Sequence, residues 1–396
     1  MTNIEIVDAA FRVWGRDFYR KTSLSQLAGA LGVSKPALYR HFENKKALIT
    51  AMTDRFCDNF AGFVKADFQN AMKNDNADEG VSTIIGSISL FFARNVYALI
   101  FSLINLYDRN LDSRTIVSSL KARGADMGII RQVIEKKYSV EASVIRLMFS
   151  SLSFLMSHFH KTKKSFDNPP SEKEINEIIM TICGAIEHGL GYSAEKISID
   201  FKNLEKQVDK MTPNAEPEPF FKAVAEAVAD AGPWNVSMDM VAKKLGLSKS
   251  SLYGHFKNRK DMLRRLFTSE FKRIIEFARL GIGLSDDNAE QLYLGIYSIT
   301  VYLRSRPEIL VAMGWIRTRK LDIGKPDKNM EIFRLFEDVD IEPMRNSPEE
   351  DRQRASHLIL FLLINILTQS STKKVQNNDI RMLYKFITLG LGGFIR

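Results

Sequence analysis

The chain has 396 residues, 45% apolar and 26% charged, an ordinary globular mixture too long for one hydrophobic core, so two or more are expected. Its formal charge of +9 favours a polyanionic partner without requiring one, so the placement of the cations matters more than their sum. Residues 1–11 hold Glu5 and Asp8 and no basic stretch before an apolar run, which predicts a cytoplasmic protein without a secretory signal.

The first motif to place in chain order begins near residue 22. Leu24, Leu27, Ala28 and Leu31 recur at three- and four-residue spacing, giving a short helix with one apolar stripe. Ser23 is positioned to cap it, with Gln26 completing a capping box. Gly32 ends that helix through a left-handed backbone, and Val33 fills the corner. Ser34 is the next N-cap, and Pro36 is tolerated in a first turn where its missing amide hydrogen has no intrahelical partner. The second helix runs from Lys35 to about Phe42, anchored by Leu38 and Phe42 on one face. Lys35, Ala37, Tyr39, Arg40 and His41 are left at the surface or its rim. Asn44 caps a further helix whose first turn carries Lys45 and Lys46. Cations sit badly beside a positive helix end, and a phosphate backbone passing there would relieve the cost. Helix, tight glycine turn and short helix with a small polar start is an arrangement that places a recognition helix in a DNA major groove.

Residues 51–195 read as a larger helical domain. Within it, residues 87–107 carry Ile88, Phe91, Phe92, Val96, Tyr97, Leu99, Ile100, Phe101 and Tyr107 at helical spacing, the pattern of a core helix. A pocket lined by Phe91, Phe92, Tyr97, Phe101 and Tyr107 is the alternative. Cys57 and Cys183 lie far apart in apolar patterns and read as buried thiols. His158 and His160, two apart on a helix, point in different directions with no further ligand at metal spacing, so neither metal nor cofactor is expected. Pro213, Pro217 and Pro219 mark a linker, drawn at residues 196–217.

Beyond it the chain repeats itself. Residues 236–262 lie over residues 22–48 at a constant offset of 214 without a gap, and 12 of the 27 positions are identical. Ser248, Lys249, Ser250, Ser251, Tyr253, His255, Arg259 and Lys260 stand where the first unit has Ser34 to Lys46. Residues 187–191 (EHGLG) and 388–392 (TLGLG) correspond near the two ends. The apolar run 359–367, interrupted by Asn365, is too short to span a bilayer and reads as a core helix.

The segment LAGALGVSKPALYRHFENKKAL resembles the DNA-binding signature of TetR-type bacterial repressors, and VAKKLGLSKSSLYGHFKNRKDM resembles it almost as closely. The resemblance implies an all-α fold of two tandem units. These would be a helix-turn-helix domain at 1–50, a helical ligand-binding and dimerisation-like domain at 51–195, the linker, a second helix-turn-helix domain at 218–264 and a second helical domain at 265–396. It implies phosphate contacts from Thr22, Tyr39 and Lys46, and from Tyr253 and Lys260. Lys35, Pro36, Ala37 and Arg40, with Lys249, Ser250 and Ser251, would face or border base edges. Ser34, His41, Lys45, Ser248, His255 and Arg259 complete the expected DNA-facing set. Two departures stand out. Val236 replaces the hydroxyl-bearing Thr22, and Gly254 replaces Arg40.

The resemblance further implies a repressor responding to a small apolar effector. Family members dimerise through their last two helices, and residues 144–159 with 175–190, and 357–367 with 380–391, look like those pairs. Packed together, they would make one chain a pseudo-dimer whose heads address double-stranded DNA with two non-identical half-sites about one helical turn apart; a homodimer is the alternative assembly. The competing class is a non-DNA scaffold with a degenerate second unit. No nucleophile, base and oxyanion set suggests an enzyme.

Overall fold

The computed structural model describes residues 2–16, 23–107, 113–166, 168–194, 197–211, 219–231, 236–318, 335–336, 339, 341–369 and 376–396. Of these, 16, 104–107, 113–114, 312, 314–318, 342 and 369 are described by backbone alone. Thr22, the side chain of Tyr107 and residues 196 and 212–217 of the expected linker lie outside this set. The described residues are all-α apart from one isolated bridge between Tyr138 and Ile395. They divide into two compact units, Met1–Ile186 with Phe394–Arg396, and Glu187–Gly393.

The first unit opens with α1 (Asn3–Arg16), α2 (Leu24–Ala30) and α3 (Lys35–His41). Trp14 and Ile6 of α1, Leu27 of α2 and Leu38 of α3 are fully buried, so three short helices share one small core. Next comes α4 (Lys45–Lys73), a continuous helix of 29 residues. The expected boundary at 50/51 falls inside it, so head and larger domain share a stiff rod rather than a flexible joint. Arg55 of α4 reaches Asp8 of α1 at 3.2 and 3.3 Å.

There follow α5 (Ala77–Arg94), α6 (Val96–Tyr107), α7 (Ser113–Ala122), α8 (Gly128–Ile134), α9 (Ala142–Thr162) and α10 (Glu172–His188). The single helix expected over 87–107 is corrected: the chain bends by 109° between α5 and α6. Asn95 makes the corner. Its side-chain amide donates to the Phe91 carbonyl at 2.8 Å, its backbone N–H to Phe92, and its carbonyl accepts from Leu99 N–H at 3.0 Å. By length and composition α9 is apolar enough to cross a bilayer, but Val144, Leu147, Met148, Leu152 and Met156 are buried within the unit, the pattern of a core helix.

The second unit contains α11 (Phe201–Asp209), α12 (Pro219–Ala231), α13 (Met238–Leu245), α14 (Lys249–His255), α15 (Arg259–Ile282), α16 (Asn288–Ser305), α17 (Pro307–Thr318), α18 (Glu349–Gln369) and α19 (Asn377–Leu389). Part of the stretch expected to be linker is thus a helix. Asp200 caps α11 through Asn203 N–H, and its Leu204, Glu205 and Val208 are buried against α16 and α19. Ion pairing fixes it there. The Glu205 carboxylate accepts two hydrogen bonds from Arg381 (2.7 and 2.6 Å), one from Tyr293 (2.6 Å) and one from Asn377 (3.0 Å). The apolar run 359–367 lies in α18, with Ile359, Leu363 and Asn365 buried.

The corresponding glycine turns meet within this unit. Gly189 and Gly390 both adopt positive φ, +60° and +58°, which only glycine accepts cheaply. Leu190 N–H donates to the Ile387 carbonyl at 2.7 Å and Tyr192 N–H to Thr388 at 3.2 Å. A Cβ on Gly189 would lie 2.4 Å from the Ile387 oxygen, and one on Gly390 would lie 2.5 Å from the Glu187 carbonyl carbon.

Candidate nucleic-acid interface

In the first head, Ser23 accepts from Gln26 N–H at 3.2 Å while the Gln26 side chain accepts from Ser23 N–H at 2.7 Å. Gly32 takes φ +66° and Val33 N–H closes the turn on Ala28 at 3.0 Å. Ser34 Oγ accepts from Ala37 N–H at 3.3 Å, so its hydroxyl is committed to starting α3. Asn44 caps α4 in the same way, accepting from Ala47 N–H at 2.9 Å. With Leu38 buried, Lys35, Pro36, Tyr39 and Arg40 are exposed together along α3, with Ala37 half-buried at its start. The Lys35 ammonium lies 5.7 Å from the centre of the Tyr39 ring, within reach of a cation–π attraction. His41 Nδ1 is 2.7 Å from Asn3 Oδ1, tying α3 to α1. Lys46 is exposed, whereas the Lys45 ammonium sits 5.1 Å over the Trp14 ring, and partial burial lowers its pKa.

The second head repeats this geometry. Gly246 also takes φ +66°, and Leu247 N–H closes the turn on Ala242 at 2.9 Å. Ser248 Oγ accepts from Ser251 N–H at 3.1 Å, and Asn258 accepts from Asp261 N–H at 3.0 Å. Leu252 is buried, while Lys249, Ser250, Ser251, Tyr253, Gly254 and His255 are exposed. Tyr253 stands 49% exposed against 42% for Tyr39, so neither ring is a core residue. His255 packs on Phe220 of α12 at 4.4 Å. Val236 is 1% exposed and serves the core. Lys260 is exposed and Arg259 half-exposed.

One difference separates the heads. Lys249 Nζ lies 3.0 Å from Asp239 Oδ2 on α13, with both side chains more than half exposed. That hydrogen bond raises the lysine pKa. The counterpart of Asp239 in the first head is Ser25, and among the described residues Lys35 has no carboxylate partner. Sequence reading missed Asp239, one of several positions at which the two helices differ in polarity, because its pairing with Lys249 depends on how α13 and α14 cross.

The aromatic residues suggested for a pocket pack on one another. Phe91, Phe92 and Phe101 are buried, Phe91 meeting Phe60 at 5.1 Å and Phe92 at 5.3 Å, and Phe101 meeting Phe56 at 5.7 Å. Tyr97 is half-buried, edge-on to Phe166 and close over Gly15 of α1. These contacts describe a packed core continuous with the head, Phe11 of α1 lying 5.0 Å from Phe101. His160 is 3% exposed; its Nε2 lies 2.9 Å from the Phe92 carbonyl, and burial lowers its pKa.

Two small helical heads, each a capped helix, a left-handed glycine turn and a short exposed helix, define a tandem helix-turn-helix protein. Residues 6–52 and 221–266 each match the family described as bacterial regulatory proteins, tetR family. The chain therefore carries two tetR-family helix-turn-helix domains in one polypeptide. The HTH-type transcriptional repressor ComR of Escherichia coli (strain K12) is 30% identical over 120 residues, which cover 30% of this chain and 56% of that protein. The chain thus matches little more than half the length of this relative. A crystal structure of a TetR family transcriptional regulator, PfmR from Thermus thermophilus, aligns over 46% of this chain and 95% of its own at 19% identity, with a TM-score of 0.35.

Proposed function

We propose that this protein is a sequence-specific, double-stranded DNA-binding transcriptional regulator that acts in the cytoplasm as a ligand-responsive repressor. The observation that carries the reading is the paired exposure of α3 and α14, two short helices on equivalent scaffolds with Lys35, Tyr39 and Arg40 outward in one and Lys249 and Tyr253 outward in the other. Exposed lysines and tyrosine hydroxyls suit phosphate oxygens, which position a protein on a duplex, and Arg40 suits a guanine edge, which specifies sequence. Repression is favoured because it needs only occupancy of a promoter, and because ComR is named as a repressor.

In this reading one chain acts as a pseudo-dimer on two non-identical half-sites, its heads about 34–36 Å apart when bound. A small apolar effector in a larger domain would shift the population between DNA-ready and released states by binding one more tightly. The shared rods α4 and α15, and the contact of Phe11 with Phe101, supply a packed route from domain to head.

Titration of the chain with pooled double-stranded fragments at two salt concentrations tests the proposal, followed by selection from randomised DNA. The expected result is binding that weakens steeply with salt and enriches an asymmetric site. Weak binding insensitive to salt, with nothing enriched, would overturn it and leave a helical scaffold.

A further inference from the structure

Both recognition helices begin with a lysine, and the two lysines are held differently. Lys35 rests on the Tyr39 ring, 5.7 Å from its centre. Lys249 forms an ion pair with Asp239 at 3.0 Å. The partners come from different elements: Tyr39 lies one turn along the same helix, whereas Asp239 lies on α13, where the first head has Ser25. A ring face leaves an ammonium free to take a phosphate or base acceptor as a further partner. A carboxylate competes directly with those acceptors and repels the polyanion as well.

Resting on the DNA-binding reading above, we infer that Asp239 sets the second head's share of DNA affinity by holding Lys249, so that the first head dominates recognition and the second is an attenuated partner. The pair is exposed and screened, so it weakens the head without silencing it. Lys249 exchanges Asp239 for DNA only when the gain exceeds the loss of the pair together with the repulsion of the freed carboxylate. Three other cations of this head are held by its own carboxylates. Lys244 is engaged by Asp230 of α12 at 2.9 Å. Asp261 takes Arg264 at 2.7 Å and Arg265 at 3.3 Å.

The test measures affinity of the full chain for a duplex it selects from randomised DNA, across a salt series, for wild type, Asp239→Asn, Lys249→Gln and the double variant. Asp239→Asn is expected to bind about two- to fivefold tighter, with a salt dependence steeper by about one released ion. Lys249→Gln should weaken wild type less than it weakens the Asp239→Asn variant, where it should remove the whole gain. Ser25→Asp should transfer the effect, weakening the first head by a similar factor. Thermal melts verify that each variant folds, and these exposed positions leave the core intact.

If Asp239→Asn matches wild type while Lys249→Gln costs tenfold alone, Lys249 already reaches DNA unhindered and the inference fails while DNA binding stands. If wild type and an Arg40→Ala/Lys46→Ala variant bind every duplex alike with no salt dependence, the DNA-binding reading fails and the inference falls with it.

Discussion

Position 40 holds an arginine, and its repeat counterpart, Gly254, holds no side chain at all. Arg40→Ala should therefore cost about 1–3 kcal/mol on the preferred duplex and relax selection at one base pair of one half-site. Lys46→Ala should weaken all sequences evenly and reduce the salt slope by about one; competition binding on single-base variants separates the two patterns. The reverse substitution is sterically open, because a Cβ on Gly254 meets nothing within 4 Å. Gly254→Arg should raise stability by about 0.5–1 kcal/mol through helix propensity and sharpen selection in the second half-site, and thermal melts with a repeated selection check both effects. Gly189 is the opposite case. Its positive φ alone predicts that alanine costs about 1–3 kcal/mol, and the clash with Ile387 adds to that, so Gly189→Ala should lower the melting temperature clearly. The caps, glycine turns and outward lysines were readable from residue type and spacing because each answers a local demand of the backbone. The hold of Asp239 on Lys249 was not, since it depends on how α13 and α14 cross.

At the scale of elements, α11 is the least expected piece. Its sequence sits beside three prolines and has a short apolar stripe, so local pattern suggested a linker; burial against α16 and α19 makes it a helix. Removing Arg381 strands the Glu205 carboxylate in the core, and Arg381→Met should cost about 3–5 kcal/mol. Glu205→Gln/Arg381→Met together should cost less, because no bare charge remains. The pair also sets an acid limit. Burial opposes ionisation of Glu205, but hydrogen bonds from Arg381, Tyr293 and Asn377 outweigh it and hold the pKa below its ordinary 4.5. Stability from this group is therefore complete above that ordinary value and lost as pH falls toward the lowered one. Melts between pH 3 and 6, about the range concerned, should show wild type losing stability on acidification and Glu205→Gln losing less; parallel curves would refute the assignment. The bend at Asn95 was hidden for a related reason. Arg94 and Asn95 between two apolar runs leave the helical period intact, and it is the bonds of Asn95 to the Phe91 and Phe92 carbonyls that mark the corner.

For the molecule as a whole, two tetR-family heads in one polypeptide predict one chain per duplex. Light scattering or sedimentation of the chain with a selected site should give a 1:1 complex as the pseudo-dimer requires; a 2:1 complex would favour a homodimer. The repeat was legible because its helix-turn-helix segments align without a gap, and so were the all-helical class and the presence of two heads. The limits of the compact units were not. Sequence suggested a break after residue 195, whereas the first unit closes at Ile186 and reclaims Phe394–Arg396.

That last return has a consequence for biosynthesis. Ser139 N–H donates to Phe394 at 2.7 Å and Arg396 N–H to Lys137 at 3.2 Å, so the earlier-made unit takes backbone partners from codons read long after its own. On the ribosome, which extends chains at roughly 5–20 residues per second, the amino-terminal half must wait on the order of ten seconds or more, incompletely closed, until the segment carrying Phe394 has been made. A nonsense codon anywhere in between would leave both units unfinished, and truncated products should be cleared by proteases rather than accumulate as working single-headed fragments.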